Sequence, residues 1–310
     1  MPVYLFMEPK RVPMTWLEFM KLKGPYSIAL DGYVDGPPII DIPGHIANFD
    51  HHKGVCRSAT RAACGQVYYA IQMGLFNCFQ DEKGILRIKV FLNHPDEDAC
   101  MAWLLLKLGC FPIIANDKHL RDLVYYVDLI DSSAGSYPID RKIWEEIAWI
   151  FQPYRNFRTS GEIDKQEADS YVAVVDQVEL RIKKHLLGEG SSVPLDVRYE
   201  LLGKRKLKSG IECAIIKEIG SQARIGLAQA KIPAYISVRE RPDGNLTVTV
   251  GKTSPFVPID LFKAYKVLNA AENSRDGDEW GGGSEVGGSP RVGGTKQSPD
   301  QIAQILESVS

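Results

Sequence analysis

Short apolar runs in the first part of the chain end repeatedly in acidic turns. Ser27–Leu30 ends at Asp31, and Ile46–Phe49 ends at Asp50. Arg87–Leu92 leads into Asn93-His94-Pro95-Asp96-Glu97-Asp98, and Phe111–Ala115 ends at Asn116-Asp117. Between and after these runs the period lengthens to that of a helix, over Arg61–Met73, Ala99–Leu108, Lys118–Leu129 and Arg141–Phe151. Strand-like and helix-like segments in alternation predict an α/β fold with a mainly parallel sheet. In such sheets ligands bind beyond the carboxyl ends of the strands, where these acidic turns fall.

A longer helical pattern runs from about Ile163 to Leu187, with Tyr171, Val174, Val178, Ile182 and Leu186 on one face, and stops at Gly188-Glu189-Gly190-Ser191-Ser192. The chain beyond it reads as strands, including a hairpin of Ala234–Arg239 and Leu246–Val250 joined by Pro242-Asp243-Gly244-Asn245. A helix is predicted over Asp260–Ala271. A glycine-rich tract comes next, Gly281 to Gly294, and then a terminal helix from Pro299 to Val309 capped by Ser298. The expected organisation is a catalytic domain over 1–162, a connecting helix over 163–189 and a smaller α/β domain over 190–310.

The 310 residues, 45% hydrophobic and 25% charged, are enough to build two ordinary cores. A formal net charge of -2 gives no broad field for nucleic acid or membrane, so any polyanion must be held by a local patch. The six cysteines (Cys56, Cys64, Cys78, Cys100, Cys110 and Cys213) form no Cys-x-x-Cys pair, which argues against a structural zinc site and fits reduced thiols. With no leader-like N-terminus and no apolar run of spanning length, the expectation is a soluble cytoplasmic protein.

Asp50-His51-His52 concentrates the chemistry. Adjacent side chains at a strand end point in different directions, so one imidazole can bind a metal while the other reaches a substrate. Imidazole with carboxylate suits Mn²⁺, Zn²⁺ or Fe²⁺ better than Ca²⁺. Asp31, His94, Asp96, Asp98, Asp128 and Asp131 supply the further groups that a pair of divalent ions would need. Each also has a structural reading: Asp31 as a turn residue before Gly32, Asp96 and Asp98 as caps of the following helix, Asp128 or Asp131 as a helix terminator. Arg57 and Arg61 could face an anionic substrate or solvent. The amides of Gly287, Gly288 and Ser289 could surround a phosphate or carboxylate, with Arg291 adding a bidentate contact. Interleaved Trp280, Val286, Pro290 and Val292 argue for an ordered segment rather than a linker. Lys204, Arg205, Lys206 and Lys208 read as a solvated face or a hairpin loop.

Asp50-His51-His52, an Asp nineteen residues upstream, and Pro95-Asp96-Glu97-Asp98-Ala99 together resemble the DHH phosphoesterases. Trp280-Gly281-Gly282-Gly283, Gly287-Gly288-Ser289-Pro290-Arg291 and Gly293-Gly294-Thr295 are similar to the signature of their DHH-associated C-terminal domain. The resemblance implies a two-domain phosphoesterase with a two-metal site, manganese as a rule (Mg²⁺, Co²⁺ or Fe²⁺ as alternatives), in the cleft between domains. It implies Asp31 as bridging carboxylate, His51 as ligand and His52 as contact to the scissile phosphate, alongside Asp50. Asp96 and Asp98 would ligate one metal each, and Asp128 or Asp131, with Asp131 preferred, would complete the second site. Two departures stand out. The Asp-x-Asp motif comes after the His pair instead of preceding it. The family pattern His-x-x-x-Asp-x-Asp has Leu92 in its first position, with His94 as a substitute ligand.

The expectation is a metal-dependent hydrolase acting on nucleotides or short single-stranded oligonucleotides. The alternative is a catalytically weak or inactive nucleotide- or nucleic-acid-binding relative.

Overall fold

The computed structural model describes residues 3–9, 12–109, 117–220, 222–272 and 278–310. The strand expected over Phe111–Ala115 lies outside the described residues. The chain divides into two compact units, one of residues 1–132 with 139–194, the other of 133–138 with 195–310. Both are mixtures of helix and sheet, and the whole is an α/β protein.

In the first unit, β1 (Val3–Met7), α1 (Trp16–Lys23), β2 (Ser27–Leu30), β3 (Ile39–Asp41) and β4 (Ile46–Phe49) are followed by α2 (Ala63–Gln72), α3 (Leu75–Cys78) and β5 (Ile88–Leu92). Helices α4 (Glu97–Leu108), α5 (Lys118–Ser132), α6 (Arg141–Ile150), α7 (Gln152–Thr159) and α8 (Ala168–Leu186) complete it. The sheet order is β1-β5-β2-β4-β3, parallel throughout except for β3. All four residues of β2 and of β4 are buried, the signature of parallel strands covered on both faces. Helix α4 is buried from Asp98 to Leu106 and packs on α2, α5 and α8. Helix α8 turns Tyr171, Val174, Val178 and Ile182 inward, the stripe that its sequence spacing predicts.

Register brings the strand ends together. Leu30 pairs with Phe49 and Ala29 with Phe91, and the Asp31 amide donates to the Phe49 carbonyl at 2.9 Å. Asp31, Asp50 and Asn93 therefore leave the sheet side by side.

The second unit contains β6 (Tyr199–Lys206), β7 (Glu212–Glu218), α9 (Ala223–Gln229), β8 (Ala234–Glu240), β9 (Leu246–Lys252), α10 (Leu261–Glu272), β10 (Gly281–Gly282), β11 (Val286–Gly288) and α11 (Pro299–Ser308). Its sheet runs β10-β11-β9-β8-β7-β6, antiparallel except for β7 with β8. The β8–β9 hairpin closes where Asp243-Gly244 predicts, with Gly244 at φ 81°. Helix α11 opens with a capping box of Ser298 and Gln301. The core gathers Ile236, Val248, Val250, Tyr265, Leu268, Trp280, Ile302 and Leu306. The basic run at 204–206 lies on edge strand β6, where charge discourages pairing with another chain, and Lys208 lies in the turn to β7. Among the described residues, no helix is long and apolar enough to cross a membrane.

Candidate metal centre

The turn after β2 aims the first carboxylate. Asp31 and Gly32 have φ values of 45° and 74°, and the Tyr33 amide donates to the Leu30 carbonyl at 3.1 Å. Two left-handed residues closed by such a bond make the turn that Asp-Gly favours. Asn93, at the end of β5, donates from Nδ2 to the Gly32 carbonyl at 3.1 Å and ties this turn to the next strand. A left-handed, non-glycine, buried Asp is the kind of backbone strain that concentrates at functional sites.

After β4, Asp50 folds back on its own chain. Its Oδ1 accepts from the His51 amide at 2.7 Å and the His52 amide at 3.1 Å, and lies 2.8 Å from His52 Nδ1. That contact fixes the His52 ring with Nδ1 toward the carboxylates and leaves the rest of a ring 43% exposed. Burial depresses the basicity of His52, but the hydrogen bond and charge of Asp50 outweigh it, so its pKa is raised. Gln66 on α2 donates to the carbonyls of Asp50 and Arg61, bracing both ends of the intervening loop.

His51 is fully buried. Its Nε2 lies 2.6 Å from Asp131 Oδ2 and 3.8 Å from Asp31 Oδ1, yet neither ring nitrogen has a hydrogen-bond partner among the described residues. An imidazole nitrogen that is buried and this close to two carboxylate oxygens fits a metal ligand. Two donors sharing one ion at bonds of about 2.0–2.2 Å sit roughly 3 Å apart. Two overlapping sets, Asp31 with His51 and His52 and His51 with Asp98 and Asp131, place their donor atoms within 4.8 Å of one another.

The carboxylates crowd each other. Burial pushes Asp31 well above the usual range, and repulsion from Asp96, Asp98, Asp131 and Asp50 adds to it. Asp98 is pushed up to about 7 by burial and then by Asp131. Its two oxygens accept from the Ala63 and Cys64 amides, at 2.7 and 2.8 Å, which caps the N-terminus of α2. For Asp131, burial acts upward, but contact with His51 and the Arg57 charge leave the carboxyl below its ordinary value. A divalent cation would relieve this repulsion, so the donor set fits the ion that the family resemblance implies.

The remaining predicted residues take more specific places. Asp96 caps α4 by accepting from the Ala99 amide at 2.9 Å, and His94 Nδ1 lies 3.3 Å from its other oxygen. Burial raises Asp96, but His94 and that amide overcome it and hold the carboxyl at about 2. Neither Asp96 nor His94 belongs to the two donor sets, so His94 is placed to orient Asp96. Asp128 accepts from the Ala62 amide at 2.6 Å and from Ser132 Oγ at 3.2 Å, and serves the α2 N-terminus. Arg57 is only partly exposed: its Nη2 donates to Asp131 Oδ2 at 2.9 Å and to the Asp131 carbonyl at 3.0 Å. Arg61 is exposed and lies over the Tyr69 ring.

In the second unit, Gly287 and Gly288 lie in β11, between β9 and β10, rather than in an open loop. A Cβ on Gly287 would stand 2.2 Å from Tyr265 Oη, so close packing alone requires glycine there. Ser289 is buried, exchanging bonds with Val248 through its amide and its hydroxyl. The amides of Val292 and Gly293 already hold a carboxylate of this chain, Asp278, at 3.0 and 2.8 Å. Arg291 is exposed.

The supporting roles of Gln66, Asn93 and Cys64 were not legible in the sequence. Asn93 sits at a strand end like the acidic residues and carried a positional signal, whereas Gln66 and Cys64 lie in a helix without one.

No family model matches the chain, and no curated protein matches it. A solved structure of an uncharacterized protein from Helicobacter pylori G27 is similar at 13% identity, over 92% of this chain and 98% of that one, with a TM-score of 0.20. A score that low carries no argument about the fold or activity of this chain.

Proposed function

We propose that this protein is a divalent-metal phosphoesterase whose centre is built from Asp31, His51, Asp98 and Asp131, with His52 beside them. The observation that carries the reading is His51, a fully buried imidazole whose Nε2 lies 2.6 and 3.8 Å from the oxygens of two carboxylates, Asp131 and Asp31. Manganese, two ions per chain, suits this mixed donor set. Bound there, the ions supply Lewis acidity toward a phosphoryl oxygen and make a water acidic enough to react near neutral pH.

The chain's own groups divide the remaining work. Asp50 holds the His52 ring, so that the imidazole can donate toward a phosphoryl oxygen where charge develops. Arg57 keeps Asp131 ionised and aimed at His51. A formal net charge of -2 favours small phosphoesters, nucleotides or short single strands over duplex interiors. Leu92 favours a second reading, a nucleotide-binding protein without turnover. It is a fully buried apolar residue at the end of β5, where the family pattern has histidine.

Hydrolysis of bis(p-nitrophenyl) phosphate and of a short oligonucleotide, with and without Mn²⁺, decides between them. We expect Mn²⁺-dependent turnover that His51→Ala and Asp98→Ala each reduce by more than about a hundredfold, beyond what loss of a supporting residue costs. Metal binding with no turnover on either substrate supports the second reading.

A further inference from the structure

The outward side of α8 carries a pattern that its inward side does not explain. Tyr171, Val174, Val178 and Ile182 fill the core, and the carboxylate of Glu179 is met by Lys107 and Lys183. On the other side Ala173, Asp176, Leu180, Lys184 and Leu187 are all exposed, Leu180 by 55% and Leu187 by 73%. Their spacings of three, four, four and three residues place them in one stripe along the helix. The Leu187 amide still donates to the Lys183 carbonyl, at 3.1 Å, so the stripe runs unbroken to its last member.

An exposed leucine is ordinary on a protein surface. The order of this stripe is not, because it is complementary to its own reverse about Leu180. Four residues away lie Asp176 on one side and Lys184 on the other, an acid with a base. Seven residues away lie Ala173 and Leu187, a small side chain with a large one. Neither Asp176 nor Lys184 has a side-chain hydrogen bond or ion pair among the described residues. The small end of the stripe also has a recess. Ala173 borders a groove between α7 and α8, with the buried Phe157 and Val174 beneath and Asn156 and Gln177 at its rim. At 1.5 Å per residue this recess and the Leu187 side chain stand at equal distances from Leu180, about 10 Å each.

We propose that two copies of this chain pair through α8, antiparallel about a twofold axis at Leu180. A twofold interface must be self-complementary, residue i meeting j while j meets i. Here Leu180 meets its counterpart, Asp176 meets the partner's Lys184, and the partner's Leu187 covers Ala173 at the groove, each of the last two contacts occurring twice. A second copy is favoured over an unrelated protein because both halves of every contact are present on the one helix. A single helix pair is smaller than a standard interface of about 1,600 Å², so association should be micromolar rather than nanomolar. The inference does not rest on the phosphoesterase reading.

Sedimentation equilibrium of the full-length chain at low ionic strength, from about 1 to about 200 µM, tests the pairing. We expect the wild type to be a reversible dimer and Leu180→Glu to stay monomeric, since it sets two carboxylates against each other on the axis. Asp176→Lys and Lys184→Asp should each weaken association about tenfold, because each turns two attractions into two repulsions. Combined in one chain, which then has the net charge of the wild type, they should restore the affinity to within about threefold. All three positions are exposed, so every variant should keep the far-ultraviolet circular dichroism of the wild type. Should Leu180→Glu lose helical signal, the charge reversals alone decide. A wild type that remains monomeric across the range would overturn the proposal, as would a dimer untouched by Leu180→Glu. So would a doubly reversed chain that associates no better than either single variant.

Discussion

Asp128, Asp131 and Arg57 would play different parts in the proposed centre. Asp131 lies 2.6 Å from His51 Nε2, Asp128 holds the Ala62 amide one turn earlier on α5, and Arg57 binds Asp131. Asp131→Ala should therefore lower Mn²⁺ affinity and turnover by more than about a hundredfold with little change in folding. Arg57→Ala should reduce metal affinity about 10–100-fold, as loss of a partner that orients a ligand does. Asp128→Ala should instead cost about 1–2 kcal/mol of stability, the size of a lost helix cap, and leave metal affinity intact. Mn²⁺ titration and urea unfolding of the three variants check this, and a metal defect in Asp128→Ala alone would reverse the assignment. Residue types in the sequence singled out Asp31, His51, Asp98 and Asp131, and the fold brings donor atoms of these four into two overlapping groups. The destination of Arg57 was not legible there, because a guanidinium reaches several neighbours and only the approach of α5 selects Asp131.

At the scale of elements, segments with a clear period could be read closely. Ser27–Leu30 and Ile46–Phe49 are strands with the expected bounds, and Arg141–Ile150 and Pro299–Ser308 end one residue short of expectation. Elements without a strong period were missed, among them β1, whose partly exposed edge position gives Val3–Met7 no clean alternation. The glycine tract is the most instructive case. Its composition suggested amides open to an anion, but sheet pairing and Tyr265 depend on residues far away in sequence. Gly287→Ala should cost about 1–3 kcal/mol from overpacking against Tyr265, lowering the unfolding midpoint and leaving KM for a small phosphoester unchanged. A raised KM at unchanged stability would return Gly287 to a ligand-binding role.

At the scale of the whole molecule, parallel strands gather acidic groups at one end of the sheet, and burial makes their mutual repulsion felt. Asp31 and Asp98 are held above the ordinary value of 3.8, Asp98 at about 7. Asp98, raised in this way, stabilises the metal-free fold fully below that ordinary value, and the contribution is lost as pH rises through about 7; Asp31 acts in the same sense. Asp96 and Asp131, held low, act in the opposite sense: their contribution is present above 3.8 and lost as pH falls through their lowered values. A divalent ion favours the charged form of every carboxylate it binds, so uptake near neutral pH would release the proton that Asp98 holds there.

Calorimetric titration of Mn²⁺ into metal-stripped wild type and His51→Ala, at about pH 8 and about pH 5.5, tests this most directly. The wild type should take up two ions per chain near pH 8, bind more weakly at the lower pH and release protons on binding, while His51→Ala should lose at least one ion. No Mn²⁺ uptake by the wild type near pH 8, or identical binding by His51→Ala, would contradict the account.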